Sequence, residues 1–183
     1  MPMVDSTAQV FFEQGGTLVH VPSGMQFPRC VCGFEREERP TVYGSALGLN
    51  VSVGYRRRSG FFGSKTTTLT LYVYPGAVIA DAPEAALEAE FQRAKADITT
   101  IYPDAAIELE SYATLPDGEC TVAGRRALFR IPGRDGKTLS ELQLFRRGVW
   151  VLKSRVTIRQ SRWTKRDRGA TDVLEMLGIP RGT

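Results

Sequence analysis

The side chains able to do chemistry are few and scattered. Nucleophilic catalysis needs a base beside the nucleophile, and His20 is the only histidine in the chain. Cys30 or Cys32 could pair with it only if the fold brings them together. There is no G-x-S-x-G elbow. Cys30, Cys32, Cys120 and His20 together make a Cys₃His set, the donors zinc takes. Against that, Cys-x-Cys is tighter than the usual ligand spacing and Cys120 is remote. The competing reading is inert thiols and a satisfied histidine. No cofactor is expected. Neither phosphate-binding glycine signature, G-x-x-x-x-G-K-[ST] nor G-x-G-x-x-G, occurs. Gly44-Ser45-x-x-Gly48 precedes a strand and so lacks the helix amides that cradle phosphate. Glu84, Glu88 and Glu90 have the spacing of a helix's solvent face, and no acid/base pair stands out among them. The expectation is a protein that is not an enzyme.

Charge is distributed unevenly. The net charge is +4. Yet residues 81–119 hold ten acids against Arg93 and Lys95, a net −8, and residues 146–168 hold nine bases against Asp167, a net +8. Such a split could steer charged partners. The alternative is that the two segments neutralise each other in the fold. An odd number of cysteines argues against a disulfide framework and for reduced thiols in a cytoplasm. The start, MPMVDSTAQVFFEQGG, has neither a basic region nor a long apolar run, so it does not read as a signal peptide. No apolar run is long enough to span a membrane. The expectation is a cytoplasmic protein, with export under a signal missing from this sequence as the alternative.

The elements that must position any site follow from periodicity. Leu47 to Pro75 reads as a hairpin: Leu47, Leu49, Val51, Val53 and Tyr55 alternate on one arm, and Leu69, Leu71 and Val73 on the other. Gly60 and Gly63 give its tip turn freedom. Leu87, Phe91, Ala94, Ile98 and Ile101 recur at helical steps, predicting a helix over 84–101 with Asp81 as its cap. Ile107–Ala113, Glu119–Ile131 (broken near Gly124), Thr138–Phe145 and Val149–Ile158 read as a meander of strands. Trp150, Leu152, Val156 and Ile158 share one face of the last. A terminal helix is expected to begin near Ser161 or only near Ala170, and to end at Leu177 before Gly178 and Pro180. Thr17–Val21 is a short strand, Ser23–Pro40 is irregular, and residues 1–16 read as a loose terminus.

The hairpin tip is the most unusual surface. Arg56, Arg57 and Arg58 come first, then Phe61 and Phe62 between glycines, then Lys65. An exposed apolar pair beside cations would suit an acidic protein partner or a headgroup layer. The bland reading folds the rings back onto the sheet. Basic and aromatic residues together also admit single-stranded nucleic acid, through Phe61, Phe62, Trp150 and Trp163, although no nucleic-acid motif is present. A small-ligand site between sheet and helix could draw on Tyr72, Arg125, Arg126 and Arg155.

Residues 40–180 resemble a PsbP-like domain, the fold shared with the yeast Ran-binding Mog family, and bacterial proteins of that fold. The resemblance lies in LTLYVYP, in APEAALEAEFQRAKADI, in AGRRALFRI, and in RRGVWVLKSRVTI followed by a terminal helix. It implies an antiparallel sheet between helices and an accessory, partner-binding role. The expectation is therefore one α+β domain over residues 1–183: an antiparallel sheet of about six to seven strands covered by helices, docking a protein partner through a sheet edge or the basic tip.

Overall fold

Alternating residues pair into long strands, and the short segments before them do the same on a smaller scale. The computed structural model describes residues 10–44, 48–59, 65–76, 83–117, 119–133, 136–160 and 169–177. In chain order the elements are β1 (Phe11–Gln14), β2 (Thr17–His20), β3 (Gln26–Pro28), β4 (Cys30–Val31), β5 (Phe34–Arg36), β6 (Thr41–Tyr43), β7 (Asn50–Ser59), β8 (Lys65–Pro75), α1 (Pro83–Ile101), β9 (Ala106–Asp117), β10 (Cys120–Gly133), β11 (Gly136–Arg147), β12 (Trp150–Gln160) and α2 (Gly169–Leu177). β1, β2 and β3 form a small antiparallel sheet. The other nine strands form the main sheet, in the order β4-β5-β7-β8-β12-β11-β10-β9, with β6 beside β5 on β7.

The expected sheet of six to seven strands covered by helices is therefore wrong. The chain is mostly antiparallel strand in two sheets, and only two helices lie among the described residues. The missed strands, β1 and β3 to β6, are two to four residues long. A window that short shows no period, so residues 1–16 and 23–40 read as loose or irregular. A tight two-residue turn at Cys32-Gly33 (φ +48° and +75°) closes the β4–β5 hairpin.

Each face of the main sheet has its own core. On one face Val51, Val53, Tyr55, Leu69, Leu71, Val73, Leu152 and Val156 bury against Phe27 and Met25 of the small-sheet segment and against Val173 and Leu174 of α2. Full burial of each such side chain is worth about 1.5–3 kcal/mol. On the other face Phe91, Ala94 and Ile98 of α1 pack on Ala127 and Phe129 of β10, Leu142 and Leu144 of β11, and Val151 of β12. β10 does not break at Gly124, which pairs with Phe145 across to β11. A side chain there would meet the Phe145 ring at 2.4 Å, so the glycine is the space that ring occupies.

Candidate functional site

α1 is too narrow to cover its face of the sheet. Its buried stripe lies over β10, β11 and the near side of β12. The β7, β8 and β12 positions beyond it form the floor of a groove. Antiparallel pairing puts Tyr72 opposite Lys153 and Thr70 opposite Arg155, while Thr68 faces both Arg56 and Thr157. Directly opposed residues share a face, so these side chains all rise on the α1 side. The helix wall adds Glu90, Arg93, Asp97, Ile98 and Ile101. Two hollows of about 650 and 570 Å³ adjoin along this floor and share Tyr72 and Arg155. Each is large enough for a small organic ligand.

Two cations dominate the floor. The Lys153 ammonium lies 4.5 Å from the centre of the Tyr72 ring and 5.6 Å from that of Tyr74. Burial pushes its pKa below the ordinary lysine value; the charges of Asp97 and Glu90 oppose that push, and those of Arg93 and Arg155 add to it. The Arg155 guanidinium donates to Ser140 Oγ at 3.2 Å and lies 5.4 Å from the Tyr102 ring. Neither cation forms an ion pair with a described carboxylate. Of the two nearer acids, Glu90 is committed elsewhere, accepting from Tyr74 Oη at 2.5 Å and from Arg93 at 2.6 Å, and Asp97 acts on Lys153 through its charge alone. Tyr43 stands over the groove, 6.4 Å from Tyr72 ring to ring, with its hydroxyl 3.0 Å from Ser52 Oγ. Burial raises the Tyr72 pKa, so its hydroxyl stays protonated at neutral pH.

Of the four residues expected to line a sheet–helix site, Tyr72 and Arg155 meet and two do not. Arg125 lies at the other side of α1, where it reaches Glu110 at 2.9 Å and Glu88 at 3.2 Å. Arg126 is one residue on, so it projects from the opposite face, against Glu141 at 2.7 Å. Lys153 was not among the expected residues. Its signal was available: Lys153, Arg155 and Thr157 occupy the alternate face of β12, and Thr66, Thr68, Thr70 and Tyr72 that of β8. Two adjacent strands polar on one side mark a sheet face that is not fully packed into a core.

The tip arginines do not form one patch. Alternation separates Arg57, whose guanidinium lies 4.5 Å above Phe34 on the small-sheet side, from Arg56 and Arg58 on the groove side. Arg56 pairs with Glu37 at 3.0 Å. Lys65 opens β8 opposite Ser59. Phe61 and Phe62 lie outside the described residues, as does Trp163, while Trp150 is buried in the core. Among the described residues the two charged segments meet at one ion pair, Arg147 with Asp117 at 2.9 Å. Otherwise Glu88, Glu90, Glu108 and Glu110 of the acidic segment pair with Arg93, Lys95, Arg125 and Arg130.

The Cys₃His set does not converge. Cys30, Cys32 and Cys120 are exposed and unpaired, and no cluster of three metal-binding side chains occurs among the described residues. His20 is fully buried, with Ser23 Oγ and the Gly48 carbonyl each 2.7 Å from a ring nitrogen. No described helix is long and apolar enough to cross a membrane. No protein-family model matches this chain, and no curated protein matches it in sequence.

Proposed function

We propose that the protein is a non-catalytic binding protein that takes a small organic anion into the groove between α1 and the sheet. What carries the reading is Lys153 and Arg155, adjacent on one face of β12, part-buried, and without an ion pair to a described carboxylate. A part-buried cation that lacks a counter-charge is favoured by any ligand that brings one. The rings of Tyr43, Tyr72 and Tyr74 with Ile98 and Ile101 favour a flat or apolar body. Thr68, Thr70 and Thr157 add hydroxyls that can donate to a carboxylate or phosphate. No nucleophile with a base at hydrogen-bonding distance accompanies them among the described residues. Titration of the labelled protein with phenyl phosphate and with benzoate tests the idea. Amide shifts should cluster on β8, β12 and α1, and Lys153→Met and Arg155→Met should each weaken binding about tenfold or more. Shifts elsewhere, or binding indifferent to both substitutions, would remove the proposal.

A second proposal, docking of an acidic protein partner at the hairpin tip, is favoured by Arg58. It is exposed near the end of β7 and forms no ion pair with a described residue. A partner set left unchanged by Arg58→Glu would end that version.

A further inference from the structure

β9 is the last strand of the main sheet, and no described strand pairs with its outer side. Twelve residues of backbone are presented there. Exposed edges of this length are normally blunted with lysine, proline or a bulge. β9 has no basic residue. Its bulge and its proline lie at opposite ends and leave the middle open. The register against β10 slips by one at Glu108, since Leu109 faces Leu128 and Ile107 faces Phe129. Pro116, which has no N–H, closes the other end. Between them runs a regular stretch, Leu109 to Leu115, with Tyr112 at its centre.

Tyr112 is the most exposed large apolar side chain described, at 82%. Its ring is held by its own chain, with the Arg125 guanidinium 4.5 Å from its centre. The strand's three carboxylates are also neutralised internally, Asp117 by Arg147 at 2.9 Å. Glu110 pairs with Lys95 at 2.6 Å and with Arg125 at 2.9 Å, which holds its carboxyl below the usual range, and Glu108 pairs with Arg130. The edge thus lacks the charge that would repel a copy of itself.

We propose that β9 pairs antiparallel with β9 of a second copy of this chain, about a two-fold axis at Tyr112. The strand is self-complementary in that register. Tyr112 faces Tyr112 of the second copy. Leu109 faces Leu115 and Glu110 faces Thr114, so no like charges oppose one another. The bulge residue Glu108 meets Pro116 at each end, so the interruptions coincide outside the paired stretch. An axis two residues earlier, at Glu110, would set glutamate against glutamate. A two-fold interface requires this kind of match between a surface and itself.

The test uses the full chain in sedimentation velocity across micromolar concentrations, together with cross-linking. Tyr112→Cys, in a background of Cys30→Ser, Cys32→Ser and Cys120→Ser, should form a disulfide-linked dimer on mild oxidation. Thr121→Cys in the same background, one strand inward on β10, should not. Tyr112→Lys places two cations across the axis at an exposed position. It should raise the dimer dissociation constant about tenfold or more with an unchanged circular dichroism spectrum. A wild-type monomer throughout overturns the proposal and leaves the edge to a strand of another protein. So does a dimer that survives Tyr112→Lys or fails to cross-link at position 112.

Discussion

Lowering the pH through the range where imidazole titrates should weaken the folded state, and His20 alone should carry the effect. Gly48's carbonyl can only accept, so His20 Nε2 holds the proton and donates to it at 2.7 Å. Nδ1 then accepts from the Ser23 hydroxyl at 2.7 Å, and Ser23 Oγ in turn accepts from the Met25 amide at 3.2 Å. Protonating Nδ1 forces the hydroxyl hydrogen to turn away inside a core packed by Phe11 and Trp150. Burial lowers the pKa below 6.5, and the hydrogen bond to Gly48 only partly offsets it. The unfolded chain takes up its proton near 6.5, while the folded chain resists until a lower pH. Stability from this group is therefore full above pH 6.5. It is lost as pH falls toward the folded pKa, by up to about 1.4 kcal/mol per pH unit. On a chain of this size that is about 3–5 °C of Tm per unit. His20 is the only histidine, so His20→Gln should have a lower Tm overall but no slope between pH 6.5 and 5.5. Equal slopes in both proteins, or a His20 ring that titrates at or above 6.5 by NMR, would refute the reasoning.

Three other outcomes can be checked. Binding of the anionic probe should weaken as pH rises through the titration of Lys153, because only the ammonium attracts it; calorimetric titration at several pH values would show the loss beginning below the ordinary lysine range, since burial has lowered that pKa. Gly124→Val should destabilise by about 1–3 kcal/mol in urea unfolding, because its Cβ would meet Phe145 at 2.4 Å and the Leu144 carbonyl at 2.6 Å. Cys32→Gly should stabilise by about 0.5–1 kcal/mol, since Cys32 is the one described non-glycine residue at positive φ; a decrease would show that the thiol makes a contact worth more than the backbone relief.

The long elements were legible because their pattern is local. Ten- to fourteen-residue strands and a nineteen-residue helix repeat their periods several times, so β7, β8, α1 and the β9–β12 meander could be placed from residue types alone. Of the small sheet only β2 could, within Thr17–Val21; β1 and β3 could not, because a strand of three or four residues acquires its identity from what pairs with it. Gly124 looked like a break for the same reason: the ring that fills its space lies on another strand. Alternation also determined that Lys153 and Arg155 point the same way, and that Arg57 points away from Arg56 and Arg58. Only the tertiary structure decided which of those faces a helix would cover. α1 shields β10 and β11, reaches β8 at Tyr74 and leaves the rest of the β7–β8 face open, and that shortfall turns an ordinary polar strand face into a groove with two cations outside any described ion pair. Packing between elements far apart in the chain sets that outcome, and no local pattern records it.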